Sequence, residues 1–238
     1  MITTKVAQVA DPQADYPFVD SKKIPARVCP MTRPLLICLD GAKGVGKTTL
    51  LEAVTHALRR QGHTVVRLSE RNHDPQRAET MALVNACARH PDAELEWRIC
   101  QRLADSRAWI SREVLPEQPP GSLILMDRWF ASDAAFRRRV AFADVLQLNV
   151  QRGVQVPDLQ VGVVTDPHLS WARAQARRQG LRSTVVQAFE DHVACSQAFE
   201  RVIGEQGWLQ CRNDGALAVA ATQLLSAVHV VLERNAGN

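Results

Sequence analysis

The residues best suited to chemistry lie in one short segment, GAKGVGKTT, which begins at Gly41. The segment has the spacing G-x-x-x-x-G-K-[ST] of a phosphate-binding P-loop. That motif requires a buried strand before it and a helix after it, and the chain supplies an apolar run over residues 35–39 and a helical pattern over residues 48–60. Glycines let such a loop turn successive backbone N–H groups towards phosphate oxygens at the positive end of the helix. The segment therefore predicts a site for a nucleoside triphosphate.

The side chains of this loop suit ATP and Mg²⁺. Lys47 has the position from which a P-loop lysine reaches the β- and γ-phosphates. Thr48 has a hydroxyl that can ligate Mg²⁺, because a hard cation prefers oxygen. For Lys43 the sequence leaves two interpretations open: contact with a phosphate of either substrate, or exposure to solvent. We expect the ATP-binding set to comprise Gly41, Ala42, Lys43, Gly44, Val45, Gly46, Lys47, Thr48 and Thr49.

A second candidate for metal binding is Asp127, which directly follows the apolar run SLILM. A buried strand that ends in an aspartate is typical of a Walker B element, where the carboxylate helps to hold Mg²⁺ and its waters. The alternative is a carboxylate that only ends a strand. Because a P-loop lies upstream, the metal role is the better interpretation. Thr48 and Asp127 are therefore the predicted metal ligands.

These residues need a scaffold, and the chain after residue 34 alternates apolar runs with helical patterns. Further short apolar runs cover residues 64–68, 122–126, 159–164 and 208–211, and helical patterns cover residues 76–89, 93–115, 132–151, 185–205 and 216–234. Another helix begins at Asp166-Pro167. Such alternation predicts an α/β fold with a parallel sheet. The segment SERNHDP, residues 69–75, is predicted as a loop at the carboxyl end of the second strand, where these sheets bind ligands.

Length and composition limit the domain organisation and the partners. The 238 residues, 46% of them hydrophobic, suffice for one large domain, which we place at residues 34–238. Residues 1–33 lack clear periodicity and are predicted to form an N-terminal extension that is poorly ordered or packed on the surface. The net charge of +4 is mild, and the arginines are spread along predicted helices. We therefore expect nucleotides, and not nucleic acid, as partners.

Cysteine usage and hydropathy predict a cytoplasmic protein. The six cysteines form no C-x-x-C pair and mostly have apolar neighbours, which is typical of reduced core residues. No apolar run approaches the roughly 20 residues that span a bilayer, and the N-terminus lacks a signal-peptide core. The histidines lack the spacing of a zinc site. We expect neither a membrane partner nor zinc.

The sequence DRW at residues 127–129, followed by Ser132, Ala135 and Phe136, resembles the D-R-Y-x-x-S-x-x-A-Y segment of thymidylate kinases, which are P-loop nucleoside monophosphate kinases. Five shorter similarities follow the order of that family, at residues 104–107, 148–149, 156–159, 189–190 and 199–202. The resemblance covers about residues 34–232.

This resemblance implies both a fold and a reaction. The fold would be that of P-loop NTPases, a five-stranded parallel sheet of order 2-3-1-4-5 with helices on both faces and a short arginine-rich lid. The reaction would be ATP- and Mg²⁺-dependent phosphoryl transfer to a nucleoside monophosphate. The expected acceptor is dTMP, and the products would be dTDP and ADP. The resemblance also implies a homodimer.

Roles for several arginines follow from the same resemblance. Arg107 and Arg128 would bind the acceptor phosphate, and residues 173–182 would form the lid, from which an arginine stabilises charge on the transferred group. The alternative for each lid arginine, including Arg178 and Arg182, is an ordinary solvated helix face. The predicted catalytic residues are Lys47, Arg128, Arg173 and Arg177, and the predicted acceptor-binding residues are Glu70, Arg71, Arg107, Arg128 and Ser132.

Four departures from the family concern the acceptor half of the site. Lys43 replaces the usual acid of the P-loop, SERNHDP replaces the loop R-E-P-G-G, Leu103 replaces a phenylalanine that stacks on thymine, and Arg137 replaces a glutamine. These changes leave the ATP half intact and weaken the expected recognition of thymine. Two alternatives therefore stay open: a P-loop kinase of another small acceptor, and a nucleotide-binding regulatory protein without acceptor turnover.

Overall fold

The computed structural model describes residues 33–177 and 186–236. The predicted extension, apart from Arg33, and the lid arginines Arg178 and Arg182 lie outside these ranges. One parallel sheet organises the described chain, with strand order β2-β3-β1-β4-β5. The strands are β1 (Leu35–Asp40), β2 (Val65–Leu68), β3 (Leu123–Asp127), β4 (Leu159–Val164) and β5 (Leu209–Arg212). The predicted fold class and strand order are confirmed.

Nine helices surround the sheet within these residues. They are α1 (Lys47–Arg60), α2 (Glu70–His73), α3 (Arg77–Arg89), α4 (Ala93–Trp109), α5 (Phe130–Phe136), α6 (Phe142–Gln151), α7 (Pro167–Gln175), α8 (Phe189–Gln206) and α9 (Leu217–Ala236). A π-helical turn, Ile110–Val114, extends α4. Local sequence explains several ends: Asp92 caps α4 by accepting from Leu95 N at 2.9 Å, and Gly207 ends α8 in a left-handed conformation.

The central strand β1 is buried along all six residues. Its side chains alternate between two hydrophobic clusters, as a strand covered on both faces requires. Leu35, Ile37 and Leu39 pack in the cluster that includes residues of α1, α8 and α9, whereas Leu36 and Cys38 pack with Trp129 and the end of α4. Because β1 lies between β3 and β4, the loops that follow these three strands meet at one edge of the sheet.

The predicted helix over residues 132–151 is wrong, because two helices occupy this region. The segment between α5 and α6 turns away where the carboxylate of Glu96 on α4 accepts from Arg138 N at 3.3 Å and from Arg139 N at 2.8 Å. In a continuous helix these N–H groups would bond to carbonyls four residues earlier. No glycine or proline marks the break. A partner from another helix therefore ends α5, which periodicity within the segment cannot reveal.

The predicted loop over residues 69–75 contains one helical turn, α2. The carboxylate of Asp74, just after this turn, accepts from Ser106 Oγ at 2.5 Å, Thr80 Oγ1 at 2.9 Å and Gln76 N at 3.0 Å. These bonds hold the segment against α4. Glu70, in the same helical turn, forms an ion pair with the buried Arg107 of α4.

The last helix, α9, is long and apolar enough to span a membrane by length and composition, over Leu217–Asn235. One face of α9 packs in the core, where Ala220, Leu224, Val228 and Val231 are buried. This criterion is weak for a single helix, because core helices also satisfy it.

Candidate active site

The P-loop connects β1 to α1, and its glycines have conformations and contacts that exclude larger residues. The φ angles of Gly44 and Gly46 are 78° and 88°, in the left-handed region. A Cβ atom on Gly44 would lie 1.9 Å from Ser170 O, and one on Gly46 would lie 2.4 Å from Asn213 Nδ2. The loop therefore needs glycine because α7 and the chain after β5 approach its backbone closely.

Two residues that the sequence did not single out hold this loop from outside. Asn213 Nδ2 donates to Val45 O at 2.8 Å, and Thr165 Oγ1 lies 3.3 Å from the same oxygen. Arg173, a predicted catalytic residue on α7, donates from Nη1 to Asn213 O at 2.9 Å. The guanidinium of Arg173 is thereby attached to the segment that supports the P-loop.

Lys47 is 6% exposed and lies within the curve of the loop. Its Nζ donates to Gly41 O and to Ala42 O, at 2.9 Å each. Burial lowers the pKa of Lys47 to about 7, and the nearby positive charge of Arg128 adds to this effect. A phosphate group would supply the negative charge that favours the protonated lysine. The role of Lys47 in binding phosphate stays a prediction.

The two predicted metal ligands lie together at the carboxyl edge of the sheet. β1 and β3 are adjacent, with Leu39 opposite Asp127, and Thr48 Oγ1 donates to Asp127 Oδ2 at 3.4 Å. Among the described residues, the buried atom Asp127 Oδ1 has no hydrogen-bond partner. A hydroxyl and a carboxylate with an unpaired oxygen form the oxygen donor set that Mg²⁺ prefers. These residues fit a magnesium ion held jointly with nucleotide phosphates.

Arg128 directly follows this carboxylate, and its backbone is unusual. Its φ angle of 72° is the one positive value among the described residues other than glycine. The guanidinium donates from Nη1 to Ser132 Oγ at 3.0 Å and lies over the Phe136 ring, with Cζ 5.1 Å from the ring centroid. Its charge lowers the pKa values of both Lys43 and Lys47, so the guanidinium is close to the P-loop.

Lys43 belongs to a group of positive charges at this position. Burial lowers its pKa to about 8, and the charges of Arg128 and Arg177 add to the effect. Arg177 is itself exposed just beyond α7. The amine of Lys43 is therefore partly buried and close to two guanidinium groups, and its contact with a phosphate stays a prediction. Lys43, Lys47, Arg128 and Arg177 together suit a polyanionic ligand.

The other predicted acceptor residue on α4, Arg107, is 2% exposed and has two acidic partners. Its Nε lies 2.9 Å from Glu70 Oε1, its Nη1 lies 3.2 Å from Asp133 Oδ2, and Asn149 Oδ1 lies 3.4 Å from Nη1. Asp133 also forms an ion pair with Arg137. The structure thus brings Glu70 and Arg107 together, whereas Arg71 is exposed on the same helical turn as Glu70. Sequence reasoning missed Asp133 and Asn149.

The two carboxylates around Arg107 differ in their ionisation. Burial raises the pKa of Glu70 even though Arg107 opposes this shift. Burial also acts on Asp133, but Arg137 and Arg107 outweigh it and hold the pKa of Asp133 below its usual value. The charge of Arg107 is therefore already balanced by carboxylates within the protein.

Comparisons with known proteins agree with this geometry. The family model described as thymidylate kinase matches residues 39–219, which include the P-loop, Asp127 and Arg128. The chain belongs to the thymidylate kinase family. The predicted enzyme class, a nucleotide kinase that acts as a phosphotransferase, is confirmed with it.

Curated relatives support this membership. The chain is similar to a thymidylate kinase of Halalkalibacterium halodurans, with 28% identity over 181 residues, which cover 73% of this chain and 84% of the relative. It is 32% identical over 156 residues to a thymidylate kinase of Deinococcus radiodurans, covering 63% of this chain and 73% of the relative. A probable thymidylate kinase of Archaeoglobus fulgidus is 25% identical over 145 residues, covering 60% of this chain and 70% of the relative.

The close approach of α7 to the P-loop of this family member can be tested with two glycine variants. Gly44→Ala places a Cβ against a backbone oxygen, whereas Gly62→Ala meets nothing within 4 Å at a similar φ of 88°. The left-handed backbone costs each variant about 1–2 kcal/mol. We expect Gly44→Ala to lose about 1–3 kcal/mol more, because of the steric overlap. Urea unfolding measures both losses. Equal losses would contradict the proposed packing.

The burial of Lys43 predicts a pH-dependent stability. The folded chain releases this proton near pH 8, whereas the unfolded chain keeps it to about pH 10.4. The charge on Lys43 therefore lowers the free energy of unfolding by its full amount below pH 8, and this loss disappears above about pH 10.4. We expect Lys43→Met to have a higher Tm than the wild type at pH 7, with a difference that narrows by pH 9.5.

The matched control for this measurement is Lys43→Arg, which keeps its charge throughout this pH range. Its Tm should stay below that of Lys43→Met at every pH tested by circular dichroism. A Tm of Lys43→Met below the wild-type value at pH 7 would contradict the assignment of Lys43 as a destabilising buried charge.

Proposed function

We propose that this chain transfers the γ-phosphoryl group of ATP to the phosphate of dTMP, giving dTDP and ADP. Membership of the thymidylate kinase family supports the reaction. The observation that carries the proposal is the arrangement at the carboxyl edge of the sheet. There Lys47, the Thr48–Asp127 pair and Arg128 meet around one point next to the P-loop.

On the donor side, the P-loop residues 41–49 hold ATP. Backbone N–H groups at the start of α1 face the phosphates, and Lys47 moves its donated hydrogen bonds from two carbonyl groups to phosphate oxygens. Thr48 and Asp127 hold Mg²⁺, which when bound neutralises charge on the β- and γ-phosphates. Arg173 stays next to the P-loop through Asn213, on the ATP side.

On the acceptor side, Arg128 binds the phosphate of the monophosphate, with Ser132 at its guanidinium. Arg177 approaches the same phosphates from the end of α7 and stabilises charge on the group in transfer. Glu70, Arg71 and Arg107 complete the acceptor set, with Arg107 oriented by its carboxylate partners. The enzyme accelerates the reaction by positioning and electrostatics, without a covalent intermediate.

A second candidate, a kinase of another small acceptor, is favoured by one observation. The charge of Arg107 is balanced by the carboxylates of Glu70 and Asp133. A carboxylate can accept a hydrogen bond from an amino group of a nucleotide base, but it cannot donate one to a carbonyl oxygen of the base. Lys43 also replaces the acid usual in the family. A monophosphate with an amino-bearing base is the alternative acceptor that these contacts support.

We further propose that the protein acts in the cytoplasm as a homodimer. Five cysteines in the described residues are free thiols, as is typical of a reducing compartment, and the family resemblance supports the dimer. Sedimentation velocity at micromolar concentration should give about twice the 26.4 kDa mass of one chain. A monomer across this concentration range would contradict the proposed assembly.

The reaction is tested by coupled ADP release with ATP and Mg²⁺ against a panel of nucleoside monophosphates. We expect turnover with dTMP. The turnover rate should fall at least about 100-fold in both Lys47→Ala and Arg128→Ala, because each variant removes a positive charge that stabilises the reacting phosphates. Arg60→Ala, which alters an exposed arginine at the end of α1, is the control and should retain wild-type turnover.

Each other outcome of the panel identifies one alternative. Preference for a monophosphate other than dTMP would replace the proposed acceptor and favour the second candidate. ATP binding without turnover of any acceptor would favour a nucleotide-binding regulatory protein. Turnover that persists in Lys47→Ala would contradict the assignment of the P-loop as the ATP site.

A further inference from the structure

Asp40 is a fully buried carboxylate that directly precedes the P-loop in the chain. Its partners all lie beyond that loop. Asp40 Oδ1 accepts from Trp129 N at 3.2 Å and from Ser132 Oγ, and Oδ2 accepts from Gln160 Nε2 at 2.7 Å. The carboxylate therefore joins the end of β1 to the start of α5 and to β4.

A buried carboxylate is costly, so its position requires a compensating contact. Burial raises the pKa of Asp40, although the hydrogen bonds from Ser132, Trp129 and Gln160 oppose this shift. An apolar residue would fill the same space without that cost. The bonds that Asp40 makes lead to Arg128, the residue proposed to bind the acceptor phosphate.

The connection runs through the hydroxyl of Ser132. This hydroxyl has one hydrogen, which it donates to Asp40 Oδ1. Its oxygen is therefore turned towards Arg128 Nη1, from which it accepts at 3.0 Å. A hydroxyl that donates to a carboxylate is polarised and becomes a stronger acceptor. The chain of bonds thus gives the guanidinium one preferred orientation.

Asp40 also supports the backbone of Arg128. The left-handed conformation at φ 72° is strained for a residue other than glycine. Arg128 N donates to Leu39 O at 3.1 Å, and the next amide, Trp129 N, donates to Asp40 Oδ1. Both N–H groups of the strained turn are therefore held by the last two residues of β1.

We propose that Asp40 and Ser132 are positioning residues that orient Arg128 towards the acceptor phosphate. The inference rests on the proposed function for the role of Arg128, but the orientation itself can be measured without activity. Asp40 acts through two routes, the hydroxyl of Ser132 and the amide of Trp129. The Phe136 ring covers the guanidinium and restricts its movement further.

The kinetic test is a double-mutant cycle between Ser132→Ala and Arg128→Ala. We expect Ser132→Ala to lower kcat/KM for the acceptor by about tenfold, in line with loss of a hydrogen bond to a charged group, while KM for ATP changes less than twofold. In the Arg128→Ala background, Ser132→Ala should have no further effect. Independent, multiplicative losses in the two backgrounds would overturn the proposal.

The chain offers a matched control in Ser106. Its hydroxyl donates to Asp74 Oδ1 at 2.5 Å and accepts from Arg102 Nη2 at 3.2 Å, so it forms the same Asp–Ser–Arg arrangement at a different place. Ser106→Ala should cost a similar amount of stability. Ser106→Ala should change kcat/KM for the acceptor by the same factor in the wild type and in the Arg128→Ala background, because no bond joins the two arrangements.

Asp40→Asn is a second variant, and we expect it to fold. Gln160 Oε1 is buried without a partner among the described residues, so rotation of this amide lets it accept from an asparagine side chain. The variant removes the charge and keeps the shape. We expect a loss in acceptor kcat/KM that is smaller than that of Ser132→Ala and equally dependent on Arg128.

The measurement independent of activity is NMR of the arginine side chains, with the Arg128 guanidinium signal assigned from its absence in Arg128→Lys. Rotation about the Cζ–Nη bonds of Arg128 should be slow in the wild type and fast in Ser132→Ala, and unchanged in Ser106→Ala. Equal rotation rates in the wild type and Ser132→Ala would overturn the proposal. Slow rotation without turnover of any monophosphate would reject the proposed function and retain the positioning.

Discussion

The rest of the active site depends on the close approach of neighbouring backbone and side-chain atoms to the P-loop glycines. Cβ atoms on Gly41, Gly44 and Gly46 would lie 2.3, 1.9 and 2.4 Å from atoms of β4, of α7 and of the chain after β5. Because the loop has no room to move outwards, its curve is set by elements far along the chain. The same packing places Arg173 beside the loop, through the carbonyl of Asn213.

The charged groups near the P-loop and those around Arg107 have different surroundings. At the P-loop, burial lowers the pKa values of Lys43 and Lys47, so a bound phosphate would favour the charged forms of these amines. Around Arg107, Glu70 and Asp133 supply negative charge from within the protein. A preformed network of ion pairs fixes the positions of its side chains, whereas a cluster of positive charges attracts phosphates. Arg128 is close to Lys43 and Lys47, and its guanidinium donates to Ser132 Oγ and lies over the Phe136 ring.

Much of the fold could be predicted because its signals are local. The glycine spacing of the P-loop, the apolar run before Asp127 and the alternation of strand and helix patterns each depend on nearby residues, and the strand order agreed with the family resemblance. The break between α5 and α6 had no such signal. It depends on Glu96, which lies 42 and 43 residues before the two amides that it binds.

The sequence by itself determined where the P-loop lies in the chain, because this motif needs particular residue types at fixed spacing. Tertiary structure alone decided which charges meet. Arg107 pairs with Asp133, 26 residues away, and Asp40 accepts a hydrogen bond from Ser132, 92 residues away. The physical reason is that backbone conformation responds to adjacent residues, whereas ion pairs and buried hydrogen bonds form only between side chains that packing of the sheet and helices brings together.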